Sequence, residues 1–328
     1  MSRYARQTCL PEVGAAGQRA IAAARVLVVG AGGLGAPVLQ YLAGAGVGHL
    51  TIVDGDRVAL SNLHRQTLFR EADVGLPKAE VAAATLRQLN STCEITAHTH
   101  PLDPLTAPGL VDGSTVALDC ADSFAVSYVL SDACRAAGVP LISASALGFG
   151  GYVGGFCGTA PSLRAVFEDL PERAATCATA GVMGPVVGMI GAAQVQMALA
   201  VLVGQTPSPL GQLLHFDMQG WRTGGFRFDG APEPENDLSF IAPGQITAGD
   251  YVVELRGTEE APQPVVSSAC RLDVAAFRAE IPRPAPGQRA VFACASGLRA
   301  WQAASHLRSY WDGDITLIAM GMMPAQQR

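Results

Sequence analysis

The sequence predicts an α/β protein: a mostly parallel sheet with helices on both faces, followed by a small C-terminal α/β domain. Three observations carry this. The stretch ARVLVVGAGGLGAPVLQYLAGAGVGHLTIVDGD reads as strand, glycine turn, helix and strand, which is a βαβ unit. Strand-like and helix-like runs then alternate along the chain. From Asp229 a stretch rich in proline and polar residues, DGAPEPENDLSFIAPGQ, has the composition of a linker and separates this alternation from a shorter one.

In order, the first helix is periodic between Leu34 and Leu42, and a β-rich HLTIVD follows it. A helix is expected over Lys78 to Leu89, then strands over Glu94 to His98 and Thr115 to Asp119. A helix over Phe124 to Ala137 is closed by Gly138, and a strand covers Pro140 to Ser143. Strands return at LLHFDM (213 to 218) and GGFRF (224 to 228). Between them, VMGPVVGMIGAAQVQMALAVLV (182 to 203) carries no charge and is about long enough to cross a bilayer. Gly184-Pro185, Gln194 and Gln196 interrupt it and basic flanks are absent, so a buried helix of a soluble protein, suited to a subunit interface, is the expectation.

The domains are therefore expected at 1–230 and 248–328, joined by a linker at 231–247. In the second, DYVVELRG, RAVFACASG and DITLIAMG are strand-like, with helix-like DVAAFRAEI and GLRAWQAASHLRSY between them.

The 328 residues are 49% apolar and 15% charged, a globular composition. A net charge of −6 argues against nucleic-acid binding, which needs a basic field, but leaves room for a local phosphate pocket. MSRYARQTCLPE lacks the basic-then-apolar order of a signal peptide, so a cytoplasmic protein is expected, with no membrane partner. The eight cysteines contain no CxxC pair, which removes the commonest zinc spacing.

Chemistry begins at the glycine turn. G30-A-G-G-L-G35 lets the backbone close on a phosphate at a helix N-terminus through Gly30, Gly32, Gly33 and Gly35, and Asp54 ends the second strand where a ribose hydroxyl would lie. A nicotinamide or flavin dehydrogenase would suit that turn equally well. SNLHRQ (61 to 66) and VGLPKAE (74 to 80) tip the balance, because Asn62, Arg65 and Lys78 add polyphosphate clamps that a dehydrogenase has little use for. Asp56 and Gln66 belong to the same expected nucleotide set.

With these motifs the sequence resembles the ThiF/MoeB/HesA family of ubiquitin-activating-enzyme-like adenylyltransferases over about residues 3 to 228. RYARQ (3 to 7), VLVVGAGGLGAPVLQYLAGAGVG (26 to 48), VDGDRVALSNLHRQTLF (53 to 69), VGLPKAE, LDCADS (118 to 123) and TCATAGVMGPVVGMIG (176 to 191) carry the resemblance. It implies a Rossmann-like domain, usually homodimeric, that uses ATP and Mg2+ to activate the C-terminal Gly-Gly carboxylate of a ubiquitin-like sulfur-carrier protein. It further implies that Asp54 holds the ribose, that Asn62, Arg65 and Lys78 contact the triphosphate, that Arg6 reaches in from the other subunit, and that Asp122 holds magnesium. Attack of a carboxylate on the α-phosphorus builds negative charge that such cations offset.

The chain departs from the family in places. The family's structural zinc uses CxxC pairs, and in TAPSLRAVF (159 to 167) Ser162 and Ala165 occupy the first pair's positions, so no zinc is expected. The family's D-N-x-x-x-R becomes Asp122 with Ser123 and Ser127, which bears on how the carrier tail or nucleotide is held. Further on, CASGLRA (294 to 300) resembles the active loop of rhodanese-like sulfurtransferases, in a MoeZ-like arrangement, and ELRGTEE (254 to 260) is similar to their D-V-R-x-x-x-E segment with Glu254 in place of the aspartate. The resemblance implies a thiolate or persulfide on Cys294, charged by a sulfur donor such as a cysteine desulfurase.

Cys177 lies in AATCATAG, among small residues that do not compel burial. Core filler and nucleophile both stay open. The resemblance favours a nucleophile that bonds the activated carrier or relays sulfur. The remaining cysteines and the histidines at 64, 98, 100, 215 and 306 read as packing or surface residues. The functional expectation is adenylation of a sulfur carrier followed by thiocarboxylate formation. Adenylation of another carrier or peptide in natural-product assembly is the first alternative, and a non-catalytic relative the second.

Overall fold

The computed structural model describes residues 3–168, 170, 181–235, 238–280 and 282–321. Eight strands build the larger sheet: β1 (Arg25–Val29), β2 (His49–Val53), β3 (Glu94–His98), β4 (Val116–Asp119), β5 (Pro140–Leu147), β6 (Gly150–Cys157), β7 (Gln212–Asp217) and β8 (Arg222–Arg227). Their order is β3-β2-β1-β4-β5-β6-β7-β8. The first five run parallel, and β6, β7 and β8 continue as an antiparallel meander.

The strand period of two assigns β1 to both faces. Val26 and Val28 enter one core, Leu27 and Val29 the other. Over the first face lie α3 (Gly35–Ala45), α4 (Lys78–Leu89) and α8 (Gly184–Leu202). Over the second lie α5 (Ala107–Val111) and α6 (Phe124–Ala137). Near the N-terminus come α1 (Ala5–Thr8) and α2 (Gly14–Ala23), and α7 (Leu163–Val166) follows β6. The uncharged run of the sequence is α8, which packs on α3 and on β4, β5 and β6. Among the described residues it is the one helix long and apolar enough to cross a membrane, and its place against the sheet makes it a core helix.

Several elements escape the hydrophobic pattern. β6 reads GGYVGGFC, where four glycines remove the usual strand propensity, and pairing with β5 and β7 forms the strand instead. β5 runs on to Leu147, beyond the expected Ser143, because β6 pairs with it along its whole length.

A second sheet of five strands follows: β9 (Ser239–Phe240), β10 (Tyr251–Glu254), β11 (Cys270–Arg271), β12 (Ala290–Cys294) and β13 (Ile315–Ala319), in the order β11-β10-β12-β13-β9. Its helices are α9 (Val274–Arg278) and α10 (Leu298–Arg308). The proline-rich stretch expected to be a linker differs from that expectation at Ser239–Phe240, which pairs with Thr316 and Leu317 as the edge strand of this sheet. Two apolar residues at 238 and 240 anchor it: Leu238 and Phe240 are both buried.

The two sheets share one hydrophobic core. Ala125, Tyr128 and Leu163 from the first part lie in the same cluster as Phe240, Phe292 and Trp301 from the second. Tyr128 stacks on Trp301 with ring centres 5.5 Å apart, and the Arg164 guanidinium lies over both rings. Arg164 is 2% exposed and makes a two-pronged ion pair with Asp132 at 2.7 and 2.8 Å. A buried arginine is tolerated because its charge is neutralised and its flat faces meet aromatic rings.

Candidate functional site

A cavity of about 450 Å³ opens where the strand order reverses, between β1 and β4 at the carboxyl ends of the parallel strands. Open α/β sheets leave a crevice at that point because the crossovers depart to opposite faces. Gly30, Gly32, Gly33, Asp54, Asp56, Arg65, Gln66, Lys78 and Asp122 all line it.

The glycine turn is demanded by the backbone. Gly30 has φ +97°, and a Cβ there would lie 2.6 Å from Cys120 O; one on Gly35 would collide with Gly30 O. Gly35 therefore closes the turn and does not line the cavity. Gly32 differs, because a Cβ would meet only Gln66 Nε2 at 3.7 Å. Among the described residues nothing requires glycine there, so the bare α-carbon suits the approach of a ligand.

Asp54 accepts from Ala31 N at 2.7 Å and from Asp56 N at 2.8 Å, one bond on each oxygen. Burial pushes its carboxyl above the ordinary value, and Lys78 and the two amides only partly offset this. Lys78 starts α4 nearly buried and donates to Asp56. Arg65 is aimed by Asn62, whose Oδ1 accepts from Nη2 at 3.0 Å, and Nη1 lies 2.8 Å from His64 Nε2. Asn62 thus sits behind Arg65, outside the cavity wall. Gln66 is 3% exposed and its Oε1 has no partner among the described residues. An orphaned buried amide facing a cavity marks a place for a ligand's hydrogen bond. Asp122 is exposed on the wall just before α6.

Asp119, the first aspartate of LDCADS at the end of β4, lies three residues before Asp122. It is 1% exposed, accepts from Ala121 N at 3.1 Å and from Ser143 Oγ at 2.8 Å, and burial raises its carboxyl above the solvent value. Gln194 of α8 reaches between the strand ends, donating to Asp119 O at 2.7 Å and Ile142 O at 2.9 Å. A single polar residue facing inward from an apolar helix was the legible signal for it.

Beyond Asp122 the wall turns apolar. Ser123 and Ser127 stand there with Tyr128, Tyr152, Leu163, Phe167 and Leu170, and among the described lining residues Arg65 and Lys78 are the only cations. Ser162, one of the expected vacated ligand positions, donates through both N and Oγ to Glu233, at 2.7 and 2.6 Å.

Arg6 and Cys294, both expected at the site, lie away from the cavity. Arg6 is exposed on α1, whose Tyr4 packs against Gly46 at the far end of α3, about 16 Å from the glycine turn by helix rise alone. It does not reach the cavity of its own chain. Cys177 lies outside the described residues. Cys294 ends β12 in the second sheet, where Sγ accepts from Gly297 N at 3.1 Å and Ala300 N at 3.4 Å. Burial nonetheless keeps the thiol above its ordinary value, against those amides and Arg299. Arg299 in turn pairs with Glu260 and donates to Leu255 O, and the fully buried Glu254 takes both prongs of Arg256.

A sequence model of the ThiF family matches residues 4–235. The adenylyltransferase and sulfurtransferase MOCS3 of Sus scrofa is 47% identical over 218 residues, covering 66% of this chain and 48% of that protein. The chain thus spans about half the length of such curated relatives. The SAMP-activating enzyme E1 of Haloferax volcanii is 40% identical over 219 residues, 66% of this chain and 81% of that protein. Among solved structures, E. coli MccB with ATP superposes with a TM-score of 0.61 at 21% identity, over 70% of this chain and 72% of that one, a likeness of fold.

Proposed function

The chain belongs to the ThiF family, and on that premise we propose that it adenylates the C-terminal Gly-Gly carboxylate of a ubiquitin-like sulfur carrier and then passes sulfur to it as a thiocarboxylate. The observation that carries the reading is the convergence of Asp54, Arg65, Lys78 and Asp122 on one cavity at the sheet's switch point. The names of the relatives, an adenylyltransferase with sulfurtransferase function and an activating enzyme, support the same chemistry.

The residues fit ATP with Mg2+. The bare Gly32 and the cations Arg65 and Lys78 suit phosphates, the orphaned Gln66 Oε1 suits a hydroxyl or amino donor of the nucleotide, and both Asp54 oxygens retain a lone pair for a ribose hydroxyl. Asp122 is the carboxylate free to hold the metal. When bound, the magnesium nucleotide supplies an electrophilic phosphorus and a pyrophosphate leaving group. The protein's part is to hold cations where negative charge grows, already oriented by Asn62 and Asp56, so that no reorganisation is needed during reaction. Arg6 would complete the set only from the second subunit of a homodimer.

For sulfur, Cys294 in its ring of amides is read as the persulfide carrier of a rhodanese-like domain at 248–328, charged by a desulfurase or a small persulfide. Cys177 is read as the nucleophile that takes the activated carboxyl. Pyrophosphate exchange that depends on a Gly-Gly carrier tests the first step. Absence of exchange with every such carrier overturns it.

The apolar wall around Ser123 and Ser127 favours one second reading, a peptide or carrier tail of different chemistry. Mass spectrometry of the product separates an adenylated peptide from a protein thiocarboxylate. ATP turnover of either kind eliminates a non-catalytic relative.

A further inference from the structure

In the loop after Cys294, Ser296 is exposed, but Gly297 is buried and is covered by residues from outside the loop. Cys294 has no exposed surface, and Gly297, with φ +86°, begins α10. A Cβ on Gly297 would lie 2.8 Å from Phe240 Cε1 and 3.3 Å from Ala125 Cβ. Phe240 comes from β9, in the stretch that joins the two sheets, and Ala125 from the first turn of α6. Neither belongs to the loop or to the strand that carries the thiol.

From this packing we propose that Phe240 and Ala125 form an intramolecular lid over the Cys294 loop, which must lift before sulfur can enter or leave. The proposal rests on reading CASGLRA as a sulfurtransferase loop. Loading requires a persulfide R–S–SH to give its outer sulfur to Cys294–SH, leaving R–SH and Cys294–S–SH. The donor's sulfur must come within bonding distance of Sγ, and a sealed thiol offers no path for it.

The covering strand is built to open before the rest. β9 is two residues long, lies at the sheet edge and pairs only with Thr316 and Leu317. Such an edge opens at a smaller free-energy cost than the core strands. The other half of the lid adjoins the nucleotide cavity, because Ser123 and Phe124, just before Ala125, line that cavity's wall. Lifting the lid therefore uncovers Cys294 on the side where the activated carboxylate would be made.

The test is peptide-resolved alkylation of the full chain by iodoacetamide. In the wild type, Cys294 should react as slowly as the fully buried Cys134 and far more slowly than the exposed Cys9. Phe240→Ala should accelerate Cys294 about tenfold or more with Cys134 unchanged, and Phe240→Leu should fall between. The lid is overturned if wild-type Cys294 reacts at the rate of Cys9, or if Phe240→Ala leaves its rate unchanged. It is equally overturned if Cys294 and Cys134 accelerate together in both variants, which is global opening. If Phe240→Ala frees the thiol but a persulfide donor still loads no sulfur on Cys294, the sulfurtransferase reading fails and the lid stands.

Discussion

Lys78 Nζ lies 2.8 Å from Asp56 Oδ2, with the lysine side chain 5% exposed and the aspartate 76% exposed. The stem is sealed against the core of α4 while the charge is steered to the cavity, so the pair aims the cation and contributes little to stability. Lys78→Met keeps the stem and removes the charge. Carrier-dependent pyrophosphate exchange should fall by about 10²- to 10³-fold, with the urea midpoint nearly unchanged. Asp56→Asn, which only loosens the aim, should cost less.

Gln194 joins α8 to the ends of β4 and β5 through Asp119 O and Ile142 O, and its Oε1 accepts from Cys120 Sγ at 3.4 Å. Gln194→Leu fills the space but leaves both carbonyls without these donors. A loss of about 2–4 kcal/mol in urea unfolding is expected.

Asp119 titrates with a raised folded value because of burial, from an ordinary 3.8. A raised value means the native state holds the proton that the unfolded state has released. Its contribution is complete below pH 3.8 and is lost as pH rises through the folded value. Asp119→Asn does not titrate, so wild-type stability relative to this variant should decline with rising pH across that window. Urea midpoints for both proteins at stepped pH measure it, and a constant difference would contradict the burial argument.

Trp301 stacks on Tyr128 beneath Arg164 and ties the second sheet to α6. Trp301→Ala should cost about 3–5 kcal/mol. Because the core is continuous, calorimetry should show one unfolding transition in the wild type and an earlier one in the variant, affecting both parts.

Cys177→Ala should leave pyrophosphate exchange intact and abolish any covalent carrier adduct or slow thiocarboxylate formation, read by mass spectrometry of the carrier. Cys294→Ala should likewise spare exchange and stop sulfur delivery from a persulfide donor. If thiocarboxylate forms normally without Cys177, that residue is packing and Cys294 acts alone.

How much was legible differs by residue. Gly30, Asp54, Arg65, Lys78 and Asp122 are all marked by local motifs, and each lines the cavity. Asn62 was legible as part of the site but not as the residue that aims Arg65, since that depends on a 3.0 Å contact across a turn. Asp119 lies within LDCADS and Gln194 within the uncharged helix, but neither motif assigns them a role, and their meaning comes from strands and a helix far apart in sequence.

The sequence alone determined the alternation of strands and helices, the glycine turn and the family, because hydrophobic period, glycine conformation and motif spacing are local properties of the chain. Only the tertiary structure decided that GGYVGGFC is a strand, that Ser239–Phe240 edges the second sheet, and that both sheets share one core. It also decided that Arg6 lies away from its own chain's cavity, that Cys294 is fully buried, and that Phe240 and Ala125 pack against Gly297 of its loop. These are long-range outcomes of pairing and burial, and no short stretch of sequence encodes which surface will come to cover it.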